Sequence, residues 1–266
     1  MQDLKGQTAL VTGASSGLGE AFARLLAERG ANVIIAARRR DKLEALEKEL
    51  EERRGVDVQV IEIDLSEPGG PEKLWNETEG AGRRVDVLVN NAGGSVHQYF
   101  VDTPWERLAR QLQLNVVSLT ELTHRFAKAM VGRGRGHILN VSSIGAYTPT
   151  PSMATYSAGK AYVRDFSEAI AFELRDTPVR VCSLCPGGTI TEFHLVAGQE
   201  LPKSIKATFM SADDCAKIGL RALFSGRRNI VSGLFNVLSV FFMRFVPRRM
   251  LVWATARTMG EPKAAT

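Results

Sequence analysis

Residues 8–30 read TALVTG, ASSGLG and EAFARLLAERG: an apolar strand, a glycine-rich turn and a helix. The helix carries apolar Ala21, Phe22, Leu25 and Leu26 along one side and stops at Gly30. Strand, glycine turn, helix is the context that a phosphate-binding loop requires. Glycines let the backbone approach a pyrophosphate, and the helix N-terminus offers free N–H groups and a positive dipole end. The spacing here, Gly13, Gly17 and Gly19, is G-x-x-x-G-x-G and departs from the widespread G-x-G-x-x-G.

The alternation continues along the chain. NVIIAA reads as a second strand, followed by Arg38, Arg39 and Arg40 and a charged helix from Asp41 to about Arg53. VQVIEIDL is a third strand ending at Asp64, and VDVLVNNAG a fourth, ending in a turn over 90–93. Helical pieces over about 104–112 and 114–131 lead to a fifth strand, GHILNVSS. The helix of Tyr156 runs to about Arg175, and PVRVCSLC is the sixth strand. A helix near 211–225 and the short strand NIVS complete the pattern. Strands alternating with helices imply crossover units and a parallel sheet covered on both faces. The expected fold class is therefore α/β, a doubly wound parallel sheet in one domain over 1–231. A helical, apolar and basic C-terminal extension follows over 232–266.

Composition excludes several classes. A hydrophobic share of 44% and a charged share of 24% describe an ordinary globular chain with material for a core. Residues 1–226 carry 27 Lys and Arg against 28 Asp and Glu, whereas 227–266 carry 7 against 1. The basic character thus belongs to the tail, and no nucleic-acid partner is expected for the body. Cys182 and Cys185 spell C-x-x-C, but residues three apart on a strand point to opposite faces, so buried reduced thiols are expected. The four histidines show no ligand spacing, and no metal is expected. His97 and His194 flank the expected pocket, as loop residues of the kind usually found on the surface. No charged n-region and apolar h-region open the sequence, which favours a cytoplasmic location, with membrane association left open.

The chemistry concentrates between Asn140 and Lys160, NVSSIGAYTPTPSMATYSAGK. Tyr156 and Lys160 are four apart and so share one helix face. An ammonium beside a phenol favours the phenolate and lowers the tyrosine pKa. Ser143, at the end of the preceding strand, can bring its hydroxyl to the same substrate oxygen.

TGASSGLG at 12–19, NNAG at 90–93, the Ser143–Tyr156–Lys160 set and PGGTIT at 186–191 together resemble the short-chain dehydrogenase/reductase family in its single-domain form. The resemblance runs in order from Thr8 to about Val231. It implies a seven-stranded fold that binds a nicotinamide dinucleotide and moves a hydride between that ring and a carbonyl or secondary alcohol. It further implies that Tyr156 is the general acid/base, Lys160 its pKa-lowering neighbour and ribose ligand, and Ser143 the donor to the substrate oxygen. Asn115 would hold a water that links Lys160 to solvent. Around the cofactor it places Gly13, Ser15, Ser16, Gly17, Leu18 and Gly19 of the turn and Arg38 and Arg39 after the second strand. It also places there Asp64 and Leu65 after the third, Asn91, Ala92 and Gly93 after the fourth, and Pro186, Gly187 and Thr189 beside the carboxamide. Thr189 departs from the aliphatic residue usual at its position, though a backbone contact would survive. Gly94 departs too, and widens the expected pocket floor.

The resemblance sharpens the expectations. Members using NAD(H) carry an acidic residue where Ala37 stands here, ahead of Arg38 and Arg39, so NADP(H) is the expected cofactor. Reduction is then the expected direction. A lid is expected over 192–210, where Phe193, Leu195, Val196 and Phe209 suggest an apolar carbonyl substrate. The uncharged run 229–243 is short for a membrane span, and is expected to cover the core or another subunit of a homo-oligomer, or to meet a membrane peripherally. An NAD-dependent alcohol dehydrogenase, a non-catalytic dinucleotide sensor, and a dehydratase or epimerase relative stay open as alternatives.

Overall fold

The computed structural model describes residues 3–190 and 209–260. The strands are β1 (Thr8–Thr12), β2 (Asn32–Ala37), β3 (Val58–Glu62), β4 (Val87–Asn90), β5 (Gly136–Val141), β6 (Val179–Cys185) and β7 (Asn229–Val231). All pair in parallel, in the order β3-β2-β1-β4-β5-β6-β7. The helices are α1 (Gly17–Ala27), α2 (Arg40–Arg54), α3 (Gly70–Asn76), α4 (Trp105–Leu112), α5 (Leu119–Gly132), α6 (Ala154–Glu173), α7 (Ala212–Phe224), α8 (Leu234–Met243) and α9 (Arg248–Met259). The expected doubly wound α/β fold is the fold observed. The chain builds outward from β1 to β3, then returns to lay β4 on the other side of β1. That reversal opens a crevice beyond the carboxyl ends of β1 and β4, where such sheets bind ligands.

Strand alternation splits the core between the two faces of the sheet. Ala9 and Val11 of β1 join Phe22 and Leu26 of α1 and Leu220 of α7 on one face. Leu10 between them joins Leu122 and Phe126 of α5 on the other. Cys182 packs into the first of these faces, and all three cysteines are buried and unpaired. Buried on both faces, the strands read as continuous apolar runs. The helix α3 was not legible in the sequence, because Gly69, Gly70 and Pro71 at its start read as a turn; the proline is tolerated at a helix's first positions. The expected break near residue 113 is instead a π-helical segment over Gln113–Ser118, which keeps α4 and α5 in one continuous run.

One buried polar network crosses this apolar core between β4, β5, α5 and α6. Asn90 Nδ2 donates to Asn140 Oδ1 at 2.9 Å and to Thr123 Oγ1 at 3.1 Å, and Asn140 Nδ2 donates to Ser167 Oγ at 3.0 Å. Asn90 and Asn140 are register partners on β4 and β5, and both are buried. The network ties the ends of those strands to α5 and α6. Asn140→Ala removes one buried partner each from Asn90, Thr123 and Ser167, and is expected to cost about 2–3 kcal/mol. The check is a urea titration, which should show a lower midpoint at unchanged slope.

Candidate active site

The glycine turn leaves β1 at Gly13, whose φ of +67° suits glycine alone, and enters α1 at Gly17, with φ of +59°. A Cβ at Gly19 would lie 2.2 Å from Gly13 O and 2.6 Å from Asn91 Nδ2. Ser16 takes the N-cap position of α1 but makes no side-chain cap hydrogen bond, so the helix's first N–H groups stay available. Leu18 packs against the core. From the next turn Arg39 reaches back: its Nε donates to Ser15 Oγ and its Nη2 to Ser15 O, both at 3.2 Å. Arg38 lies 3.8 Å from Asp64 and is largely exposed. The two arginines therefore stand on opposite sides of the β2 end, one against the glycine turn and one toward β3.

Asp64 lies two residues past β3. Burial works against its charge, but two hydrogen bonds from Ser66, together with Arg38 and Arg110, hold its carboxyl below the usual range. Leu65 turns its side chain into the core, and its carbonyl accepts from Ser118 Oγ at 2.6 Å. Beyond β4, Asn91 donates its amide to Thr12 O at 3.0 Å. The N–H groups of Asn91 and Ala92 both donate to Thr12 Oγ1 at 3.0 Å. Thr12 thereby locks the β4 turn to the glycine turn. Its place opening TGASSGLG was the only signal for that role.

Gly93 sits between the next two groups: a Cβ there would lie 3.2 Å from Asn115 Oδ1 and 3.4 Å from Lys160 Nζ. Asn115 is buried within the π-helical segment and holds Gly94 at both backbone groups, accepting from its N at 3.0 Å and donating to its O at 2.7 Å. A Cβ at Gly94 would meet only Leu114, at 3.8 Å, so the backbone has room there. Sequence spacing gave no sign of Gln111, which donates to Gly94 O at 3.3 Å and accepts from Thr155 Oγ1 at 2.7 Å, beside Tyr156.

Ser143, Tyr156 and Lys160 converge as expected. Ser143 caps a short helical turn by accepting from Gly145 N at 3.0 Å, and hydrogen-bonds Tyr156. Lys160 Nζ donates to Val141 O at 2.8 Å and stands 5.8 Å from the centre of the Tyr156 ring. The expected lowering of the phenol is not what these protein groups produce. Burial pushes Tyr156 up to about 12, and the Ser143 hydrogen bond offsets only part of that. Burial likewise pushes Lys160 down to about 8. The ammonium is still charged at neutral pH, and desolvation is the largest influence on the phenol.

On the far side, Pro186 O accepts from Ile144 N at 2.8 Å, Gly187 N donates to Ser232 Oγ at 3.3 Å, and Thr189 Oγ1 donates to Gly187 O at 3.1 Å. A Cβ at Gly187 would lie 2.0 Å from Asn236 Nδ2 of α8, so the extension touches this turn directly. The lid expected over 192–210, with Phe193, His194, Leu195 and Val196, lies outside the described residues apart from Phe209 and Met210. His97 is half-buried: its Nε2 and Ser95 Oγ are buried without a hydrogen-bond partner among the described residues, and burial lowers the imidazole pKa. No His, Cys, Asp and Glu grouping that could hold a metal occurs among the described residues.

A model of the short chain dehydrogenase family matches residues 7–200. The chain belongs to the short-chain dehydrogenase/reductase family. As a member of that family it is an oxidoreductase acting on hydroxyl or carbonyl groups with a nicotinamide dinucleotide. It is 30% identical to a 7beta-hydroxysteroid dehydrogenase of Collinsella aerofaciens, over 86% of this chain and 89% of that one. It is 38% identical to a very-long-chain 3-oxoacyl-CoA reductase of Laccaria bicolor, over 85% of this chain and 68% of the relative. The structure of a short-chain dehydrogenase from Sphingobium yanoikuyae in complex with NADPH aligns with a TM-score of 0.80 at 28% identity, covering 90% and 94% of the two chains.

The crevice of this short-chain dehydrogenase fits the cofactor: the α1 N–H groups carry no side-chain cap, and the glycine turn packs so closely on itself and on Asn91 that a Cβ at Gly13 or Gly19 would clash there. Burial of Lys160 sets a further expectation. Its pKa falls from 10.5 unfolded to about 8 folded, so the unfolded chain binds the extra proton between those values. Stability contributed by this group therefore rises with pH across that window, and the cost of burying the ammonium is present in full below it. Lys160→Met is expected to be at least as stable as the parent at pH 7, by at most about 3 kcal/mol less the lost bond to Val141 O. Melting temperatures measured from pH 7 to 10.5 should show that gain shrinking.

Proposed function

We propose that the chain is an NADP(H)-dependent reductase of an apolar ketone of lipid, acyl or steroid character. The observation that carries the reading is the convergence of Ser143, Tyr156 and buried Lys160 at one end of a cradle whose other end holds Arg38 and Arg39. A nicotinamide dinucleotide held by the glycine turn supplies the hydride. The chain's own residues handle the oxygen. Tyr156, a phenol across the neutral range, donates its proton to the substrate oxygen, and Ser143 donates a hydrogen bond to that oxygen as negative charge builds. Lys160, charged below about 8, stabilises the phenolate that this step leaves. Asn115 positions Gly94 and borders Lys160 across Gly93.

Support for an apolar ketone comes from the relatives, named for a hydroxysteroid and for a very-long-chain 3-oxoacyl-CoA. Support for the phosphorylated cofactor comes from Arg38 and Arg39, since guanidinium groups match phosphate geometry and no carboxylate replaces Ala37. Among the aligned structures, the Sphingobium enzyme was solved with NADPH and a Burkholderia phymatum enzyme with NAD, so the preference rests on the arginines.

Tyr156→Phe is expected to retain cofactor binding and lose turnover by roughly three orders of magnitude or more, because the transferable proton is gone. In the parent, kcat/KM for ketone reduction should hold level to about pH 8 and fall above it as Lys160 loses its charge. Alcohol oxidation, which needs the phenolate, should instead rise with pH. A reductive profile that climbs through pH 8 would remove Lys160 from this role.

For the cofactor, kcat/KM with NADPH is expected to exceed that with NADH by roughly tenfold or more. Arg38→Ala combined with Arg39→Ala should erase most of the difference by weakening NADPH and sparing NADH. Equal use of the two cofactors by the parent would reject the preference.

A further inference from the structure

The helix α8 is built inside out. Leu234, Phe235, Leu238, Phe241, Phe242 and Phe245 recur at helical spacing and are 48–76% exposed. Its inward side is narrow: Asn236 against Gly187, and buried Val240. The helix α9 repeats the arrangement, with Met250 and Trp253 exposed and the Arg257 guanidinium 3.9 Å from the centre of the Trp253 ring. Arg244, Arg248, Arg249 and Arg257 are all exposed, and no acidic residue occurs between Asp214 and Glu261. A contiguous apolar face of this size on a folded chain marks an interaction surface.

Charge decides what covers it. A second copy docking through this same patch would bring its arginines to a surface with no carboxylate between Asp214 and Glu261 to pair them. An anionic lipid surface meets both needs, taking the aromatic residues into the headgroup–acyl boundary and the arginines at the headgroups. No helix among the described residues is long and apolar enough to cross a membrane, so the contact is interfacial.

The inner sides of the same helices hold the reactive loops. Thr255 Oγ1 donates to Pro149 O at 2.9 Å, in the loop between Ser143 and Tyr156. Ser152 O in that loop accepts from Gln98 N at 2.9 Å, and the neighbouring Tyr99, Phe100 and Trp105 are exposed as well. Bulky apolar side chains thus flank the active-site loop on both sides. We propose that α8 and α9 dock the enzyme on anionic lipid surfaces and seat the loop between Ser143 and Tyr156 at the contact. The docking rests on the reductase reading only for what it would deliver, an apolar ketone partitioned in the lipid.

The test floats the full chain with vesicles of phosphatidylcholine alone and of equal parts phosphatidylcholine and phosphatidylglycerol. Reduction of a water-soluble ketone by NADPH is measured in parallel. The parent should float with the mixed vesicles at low salt, and ~tenfold less with the neutral ones. Phe242→Ser with Trp253→Ser, and Arg248→Gln with Arg249→Gln, should each cut binding by ~tenfold while leaving soluble-ketone turnover unchanged. No flotation of the parent, equal flotation with both vesicles, or variants that bind like the parent would each overturn the proposal. If the parent stays down and the aromatic pair of substitutions splits a dimer in sedimentation velocity, the face belongs to a second copy. Turnover without flotation sinks the docking alone, and flotation with no turnover of either the soluble or an apolar ketone sinks the reductase reading alone.

Discussion

The buried amide pair Asn90–Asn140 joins two strand ends at the middle of the sheet, and the geometry of the site depends on it. A polar network in an apolar interior tolerates few alternative arrangements, because each misplaced group loses its partner without gaining water. From Asn90 the chain enters the turn that Thr12 locks to the glycine loop. From Asn140 it runs through Val141, whose carbonyl receives Lys160, to Ser143. Through Ser167 the same network holds α6, which carries Tyr156 and Lys160. Cofactor cradle and proton-transfer group are thus referred to one rigid point.

Burial opposes both titrating groups at the centre of the site, raising the phenol and lowering the ammonium. A solvated Tyr–Lys pair would lack this tension. The fold accepts it because the same exclusion of water strengthens every charge interaction at the reacting oxygen. Tyr156 accordingly holds its proton across the neutral range, which suits a donor to a forming alkoxide.

The extension is joined to the catalytic machinery through Asn236 at Gly187 and Thr255 at Pro149. Its outward apolar face and its arginines are therefore held in fixed relation to the loop that precedes Tyr156.

The sequence by itself determined the alternation of strands and helices, and with it the doubly wound sheet. Both are local: apolar periodicity, glycine turns and helix stops act within a few residues. It also made Gly13, Gly19, Ser143, Tyr156 and Lys160 candidates for the site, because they belong to short motifs that read without a structure. Contacts across long separations were decided only by the tertiary structure. Thr12 on the NNAG turn, Arg110 on Asp64 and Gln111 between Gly94 and Thr155 join segments with no mutual signal in the sequence. Arg39 turned toward Ser15 while Arg38 turned toward Asp64, a distinction that adjacent identical residues cannot announce. The direction of the Tyr156 shift differs from the sequence expectation for the same reason. A neighbouring charge is visible in a motif, but desolvation depends on everything packed around it. The tail's apolar run was legible, yet which side of α8 faces outward followed only from the docking of Asn236 and Val240 on the body.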